Sequence, residues 1–494
     1  MKILFAASEA APFAKTGGLG DVVGSLPKAL DSLGHDVRVI MPRYRSVGVE
    51  PFGLHRVLEP MTVWLSGKPF EVTLYESVLP GTQVPIYFVD QPTLFDREGL
   101  YQEHGADYPD NLERFSVFAQ AVLQAVPQLG WQPEMLHAHD WQAGLLVAHR
   151  ALTRATDPLW QSVATVFTIH NLAYQGVFPQ ADWWMTGLPY HAFTMDGLEF
   201  YGRINCLKGG LVHADQLTTV SPTYAREIQT RQFGCGLEGL LATRRDALTG
   251  ILNGIDDEAW DPKTDPHLAA HYSAEELAGK SICKLSLQER LRLPQRHGLL
   301  LGMVQRLVEQ KGIDLFLKAA PELLKLDVQV AILGTGDPGF HAQLTELAKR
   351  YPEQVSVTLT FDDSLAHQIE AGSDAFLMAS RFEPCGLNQF YSMRYGSVPI
   401  VHRVGGLADS VTDVSPKTLE DGTATGFVFD VYTSAALLDA VSRAVAAFRD
   451  HGLWYTLVRS GMRQDWSWRR SAREYLAVYE RAACRGPIAC GAGS

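Results

Sequence analysis

The chain has 494 residues, too many for one ordinary core, so two or three domains are expected. It is 46% hydrophobic and 20% charged, a globular composition, and its formal net charge of −12 excludes broad nucleic-acid binding while leaving room for a local basic pocket. No run approaches the roughly 20 apolar residues of a membrane span, the opening apolar stretch reaches Glu9 too soon for a secretory core, and Cys206, Cys235, Cys283, Cys385, Cys484 and Cys490 form neither a CxxC pair nor a zinc spacing, so a reduced cytoplasmic protein is expected.

Residues 2–7 read as a buried strand, followed by a Gly-rich loop from Ser8 to Asp21. Val22, Val23, Leu26, Leu30 and Leu33 then recur at helical spacing, Gly34 fits a helix stop, and residues 37–41 read as the next strand. This βαβ opening implies a parallel sheet. Further buried strands are expected at 85–89, 135–138, 163–169 and 216–220. A polar stretch near 253–295 separates this half from a second alternation. There, strands are expected at 299–304, 328–333, 355–361, 375–378 and 399–401, and helices at 313–326, 340–351, 364–372 and 387–395. The predicted class is α/β with two Rossmann-like halves.

Ligands of open parallel sheets bind beyond the carboxyl ends of strands, so the segments after strands carry the functional reading. Lys15-Thr-Gly17-Gly18-Leu-Gly-Asp21 offers close backbone approach, a helix N-terminus and a mobile cation. It fits neither the dinucleotide nor the Walker spacing, and a tight turn and a phosphate or sugar site both stay open. In His137-Ala-His139-Asp140-Trp141, directional hydrogen bonds and an aromatic face suit a hydroxyl-rich ligand; a three-ligand metal reading also exists, without a fourth ligand at a familiar spacing. His170-Asn171 follows another strand and reads as a structural hydrogen-bonder or a functional pair. In the second half, Arg306 and Lys311 on one strand-to-helix loop can clamp a diphosphate, or pair with Glu309 on the surface. Glu383, held outside the helical region by Pro384, lies in Ser380-Arg-Phe-Glu-Pro-Cys385-Gly386-Leu387, before a helix whose backbone N–H groups point at a ligand. Gly405-Gly406 gives a second place for close backbone approach. Together these describe a transferase using an activated sugar diphosphate.

The motifs at 15–21, 137–141, 169–176 and 380–387 resemble those of bacterial glycogen synthases and plant starch synthases. So do Arg203-Ile-Asn205, Lys208-Gly-Gly210, residues 219–225, Gly236-Leu-Glu-Gly239 and Asn253-Gly-Ile-Asp256. The resemblance runs in order from residue 1 to about Tyr479. It implies a GT-B arrangement of two facing Rossmann-like domains with a deep cleft: an acceptor-side domain over 1–250, a nucleotide-sugar domain over 251–465, a helix over 466–484 packing back on the first domain, and a disordered tail over 485–494. It further implies glucose transfer from ADP-glucose to a growing α-1,4-glucan such as glycogen, with retention of configuration. ADP-glucose is a substrate, and no cofactor and no metal are expected.

By the family's motif, Lys15, Gly17 and Gly18 approach the donor, Arg306 and Lys311 neutralise its diphosphate, and Glu383 binds the glucose hydroxyls with the backbone of Cys385, Gly386 and Leu387. His170 presents its carbonyl near the anomeric carbon, Asn253 reaches the sugar, Gly405 and Gly406 lie on the donor side, and His139 and Asp140 on the acceptor side. Front-face and covalent routes to retention both stay open, with Glu383 assigned a positioning role. Three positions depart from the pattern: Phe361 where a Tyr stacks on adenine, Cys235 where Tyr is common and Cys283 where Asn is usual. A transferase using UDP-glucose or another acceptor is the enzymatic rival, and a glucan-binding protein with a dead site the other. No partner beyond donor and glucan, neither nucleic acid nor membrane, is expected, and the sequence assigns no oligomeric state.

Overall fold

In the computed structural model, which describes residues 1–153 and 157–484, the apolar runs of the first half line up as parallel strands. These are β1 (Lys2–Ala6), β2 (Asp36–Pro42), β3 (Pro85–Asp90), β4 (Met135–His139), β5 (Ala164–Ile169), β6 (Gln216–Thr219) and β7 (Leu248–Gly250). Their spatial order is 3-2-1-4-5-6-7, parallel throughout. Strands buried on both faces read as continuous apolar runs, which is why β1–β6 were legible, whereas the short, half-buried β7 was not expected. The strand Lys68–Val78, antiparallel to β3, and its partner Met61–Leu65 were not expected. Buried and wetted positions mix along them, so they lack the continuous apolar run of a doubly covered strand.

The second half builds a six-stranded sheet from β8 (Leu299–Val304), β9 (Val328–Leu333), β10 (Val355–Thr358), β11 (Ala375–Met378), β12 (Val398–His402) and β13 (Phe427–Phe429). Numbered within this sheet, the order is again 3-2-1-4-5-6, the doubly wound order. Strand β10 stops at Thr358, short of the expected Phe361. Its one partner among the described residues, β9, ends at Leu333, so the ladder stops there.

The chain divides into two compact units. Unit 1 comprises Met1–Val220, Ala225–Gly254 and the chain from Trp468; unit 2 comprises Ser221–Tyr224 and Ile255–Ser467. The short segment 221–224 belongs to unit 2 because Thr223 gives its N–H and its hydroxyl to the Asp409 carboxylate, at 2.7 and 2.6 Å. The polar stretch near 253–295 is not a linker. Tyr272 and Lys280 from it both donate to the buried carbonyl of Tyr395, at 2.8 and 2.9 Å, inside unit 2. The helix Trp468–Cys484 packs in unit 1, where Ser471 donates to the Leu252 carbonyl at 2.6 Å. Tyr475 and Tyr479 of this helix are fully buried there. The Gly- and Ala-rich tail from 485, expected to be disordered, lies outside the described residues.

Candidate active site

Both sheets reverse their strand order between the first and fourth strands, so each unit has one switch point, where ligands of doubly wound sheets bind. In unit 1 it lies between β1 and β4; in unit 2, between β8 and β11. The motifs at 15–21 and 137–141 fall on the loops of the first switch point and those at 306–311 and 380–387 on the loops of the second, while His170, Phe361, Gly405 and Gly406 follow other strands.

After β1 the chain runs through a loop into α1 (Gly18–Ser32). Glu9, almost fully buried, organises this loop. Its carboxylate accepts from the Thr16 N–H and hydroxyl (2.6 and 2.7 Å), the Gly17 N–H (3.3 Å) and the Tyr101 hydroxyl (2.6 Å). Sequence reading missed Glu9; its signal was a lone carboxylate inside an Ala-rich apolar stretch. Gly17 is extended and caps α1 without a side-chain bond. A Cβ added at Gly17 or Gly18 would meet no atom within 4 Å. Neither glycine is required by packing or by a left-handed backbone, so both leave open space at a helix N-terminus. Lys15 is tethered rather than freely mobile, its ammonium 2.7 Å from Asp21.

After β4, Asp140 stands in the left-handed region, with φ of 54°, and opens α2 (Asp140–Thr153). Its carboxylate accepts the backbone N–H of His170 at 2.7 Å and that of Asn171. Asp140 thereby shapes the loop after β5 that carries His170. Burial pushes its carboxyl up to about 7, against the pull of these two amides. His139 and His170 share one hydrogen bond, Nδ1 to Nε2, at 3.0 Å. Burial holds His170 down to about 3 and His139 well below the usual range, so both are neutral. The nitrogens of His137 are occupied by the Tyr479 hydroxyl (2.8 Å) and by Thr168 (2.6 Å). Both nitrogens of His137 and the Asp140 carboxylate are thus engaged, while His139 keeps a buried Nε2 without a partner; among the described residues the three do not bring their ligand atoms together. The expected sugar-stacking face of Trp141 is corrected by the structure: its ring packs edge-on against Phe115 at 5.0 Å, and Gly176 lies so close that a Cβ there would fall 2.3 Å from the indole.

In unit 2, Arg306 leaves the end of β8 exposed, with no ion pair to any described residue. Lys311 pairs with Glu383 at 2.5 Å, and Ser380 donates to the same carboxylate oxygen at 2.9 Å. The surface alternative, in which Glu309 neutralises either cation, does not hold, because Glu309 pairs with Arg381 at 3.0 Å. Glu383 lies on the loop after β11, before the helix Asn388–Arg394. Asn388 donates to the Val304 carbonyl, tying this loop to the end of β8. Gly405 and Gly406 do make close backbone approaches, but to this loop. A Cβ on Gly405 would fall 1.9 Å from the Glu383 carbonyl, and one on Gly406 2.1 Å from that of Cys385. The Cys385 side chain is buried, and Gly386 takes a φ of 75°.

The expected site residues therefore form two sets. Lys15, Gly17, Gly18, His139, Asp140, His170 and Asn253 stand on unit 1, and Arg306, Lys311, Phe361, Glu383, Cys385, Gly386, Leu387, Gly405 and Gly406 on unit 2. Asn253 is buried with its side-chain oxygen unpartnered. Phe361 lies beyond the end of β10 and is 86% exposed, so it is not a core residue.

Residues 2–243 match the family described as the starch synthase catalytic domain, and residues 292–447 match glycosyl transferases group 1. The chain is 47% identical over 488 residues to glycogen synthase 1 of Methylococcus capsulatus, covering 98% of this chain and 97% of that one. It is 49% identical over 497 residues to the glycogen synthase of Anaeromyxobacter dehalogenans, covering 98% and 100%. Among solved structures it resembles the catalytic domain of starch synthase IV from Arabidopsis thaliana bound to ADP and acarbose, with a TM-score of 0.90, 34% identity and coverage of 98% and 99%. These likenesses place the fold in the GT-B class.

Proposed function

The chain belongs to the glycogen synthase and starch synthase family, and on that premise we propose that it extends an α-1,4-glucan with glucose taken from ADP-glucose, retaining the anomeric configuration. The observation that carries this reading is the unit 2 switch point. There an unpaired Arg306 and the Lys311–Glu383 pair stand on adjacent strand-end loops. The starch synthase held with ADP supports a donor built on adenosine diphosphate.

Breaking the bond to the diphosphate leaves positive character on the sugar and new negative charge on the phosphate. In this reading Arg306 and Lys311 stabilise the second. Glu383, already held by Lys311 and Ser380, has a carboxylate oxygen left for the glucose hydroxyls, beside the backbone of Cys385–Leu387. Gly405 and Gly406 act on the donor side indirectly, by letting the Glu383 loop sit low. In unit 1, the open space over Gly17 and Gly18 admits the donor's phosphate or sugar, and Lys15 exchanges Asp21 for it. Asp140 fixes the backbone of His170 so that its carbonyl faces the anomeric carbon, and neutral His170 and His139 put no positive charge beside a cationic sugar. Asn253 offers its unpartnered oxygen to the sugar, and Phe361 an exposed ring to the base. The charge work rests on side chains, so turnover is expected to persist in EDTA. In this reading the reaction runs in the cytoplasm.

The test is incubation with ADP-glucose and glycogen, following ADP release and polymer growth, beside a parallel assay with UDP-glucose. Growth with ADP-glucose supports the reading. Growth with UDP-glucose alone would replace the donor, and absence of growth with either would leave a glucan-binding protein.

A further inference from the structure

His267, Asp363 and His367 of unit 2 take no part in the reading above. Asp363 and His367 are four residues apart on the helix Asp363–Gly372, hence on one face. His267 comes to the same place from the loop after Asp265. One potential ligand atom from each lies within 4.8 Å of the others.

His367 is the fixed point. It is buried, with 6% exposure. Its Nδ1 donates to the Asp265 carboxylate at 2.7 Å, and that carboxylate also accepts from the Tyr395 hydroxyl at 2.5 Å and from the His267 N–H at 2.9 Å. The Trp260 indole lies flat on the His367 ring, with centroids 3.8 Å apart and 9° between planes, and Tyr391 stacks on the same indole at 3.9 Å. The ring is thus held in plane and in tautomer, and its Nε2 makes no hydrogen bond to any described residue. A carboxylate behind one imidazole nitrogen, with the other nitrogen unengaged, is the arrangement that orients histidine toward a metal.

We propose that His367 Nε2, a ring nitrogen of His267 and a carboxylate oxygen of Asp363 bind one divalent transition-metal ion of the zinc type. Two imidazoles and one carboxylate favour such an ion over magnesium or calcium, which take oxygen ligands. Tetrahedral zinc with bonds of about 2.0–2.1 Å brings its donors to about 3.3 Å from one another. The donors must therefore draw together from their present spacing. The exposed Asp363 and half-buried His267 do so by side-chain rotation, while His367 stays fixed. Three protein ligands leave a fourth position for water. A bound ion ties the loop around His267 to the first turn of the helix that follows Phe361, so it stabilises unit 2.

The test uses the full chain, treated with EDTA and desalted, with the exposed Cys235 and Cys484, and Cys490, replaced by Ser so that these thiols do not compete. Zn²⁺ is titrated calorimetrically, and Co²⁺ is followed by its visible absorption. Expected are one ion per chain, a raised melting temperature with Zn²⁺ that EDTA reverses, and four- or five-coordinate Co²⁺ bands. His267→Ala and Asp363→Asn should each weaken binding by about tenfold or more, with the metal-free melting temperature unchanged. Failure to bind either ion, or binding that both variants leave intact, would overturn the proposal.

Discussion

Arg306 and Lys311 differ in what their removal leaves behind. Arg306 is exposed and unpaired, so Arg306→Ala should lower turnover with ADP-glucose by about 2–4 kcal/mol of transition-state stabilisation, roughly 30- to 1,000-fold, at an unchanged melting temperature. Lys311→Ala should lose as much turnover and also melt earlier, because Glu383, with only 6% of its side chain exposed, loses its counter-charge. Initial rates at saturating donor, read beside a thermal melt, separate the two. A near wild-type rate for Arg306→Ala would remove it from the clamp. Phe361 makes a different test. Its ring is 86% exposed, so Phe361→Ala opens no cavity and should not move the melting temperature. If the ring stacks on the base, the variant loses about 1–3 kcal/mol, by analogy with aromatic stacking on nucleic-acid bases. That loss appears mainly in the Michaelis constant for ADP-glucose, since stacking is equal in ground and transition states. Phe361→Tyr should cost little.

At the scale of elements, two glycine pairs separate ligand space from packing space. Gly18→Ala adds a methyl where nothing stands within 4 Å, so folding should survive while the Michaelis constant for donor rises. Gly406→Ala drives a methyl into the Cys385 carbonyl and must displace the Glu383 loop. It should cost stability of about 1–3 kcal/mol as well as turnover. Urea unfolding and kinetics on both variants give the comparison. The sequence made both pairs visible as Gly-Gly before a helix, yet could not say which one met a ligand and which met backbone, because that depends on a loop some 20 residues away in the chain for Gly405. The same limit runs through the fold. Runs such as Leu299–Val304 announce doubly covered strands, since every position is apolar or Gly. Their order was not legible, because pairing β8 with β11 is a long-range fact. Trp141 looked like a sugar platform from its neighbours and is instead packed by Phe115 and Gly176, which no local pattern reveals. Glu9 was overlooked because its partners, Thr16 and Tyr101, lie on other turns and loops.

Taken as a whole, the protein should be acid-labile through unit 1. Burial holds His170 to about 3 and His149 to about 4, and His137 and His139 well below 6.5. Unfolded histidines take up protons near 6.5, so below that pH the unfolded state binds more protons and stability falls until the folded pKa values are reached. Asp140 acts oppositely: raised to about 7, it retains a proton that the unfolded carboxyl releases above 3.8, so its contribution is full at low pH and fades toward pH 7. Burial also lowers His35 and His213 and raises Asp90, so six histidines stand against two carboxyls in unit 1 and stability falls between pH 7 and pH 5, measurable by urea titration; a flat or rising profile would contradict it. The helix Trp468–Cys484 is a second whole-chain determinant. Tyr479→Ala removes a fully buried ring and the hydroxyl bonded to His137, and should cost about 3–5 kcal/mol in unit 1.

That helix also fixes an order of events at the ribosome. Most of unit 1 emerges first, the whole of residues 255–467 follows, and only then do Tyr475 and Tyr479 leave the exit tunnel. At about 5–20 residues per second, roughly 200 intervening residues take about 10–40 s. Throughout that interval the nascent first unit has Phe5 but neither Tyr475 nor Tyr479 to set against His137, and the apolar surface those two rings cover stays wet. Unit 2, continuous apart from four residues, meets no such wait. The half that is translated first is therefore the half that finishes last, and it is the one a holding chaperone would recognise.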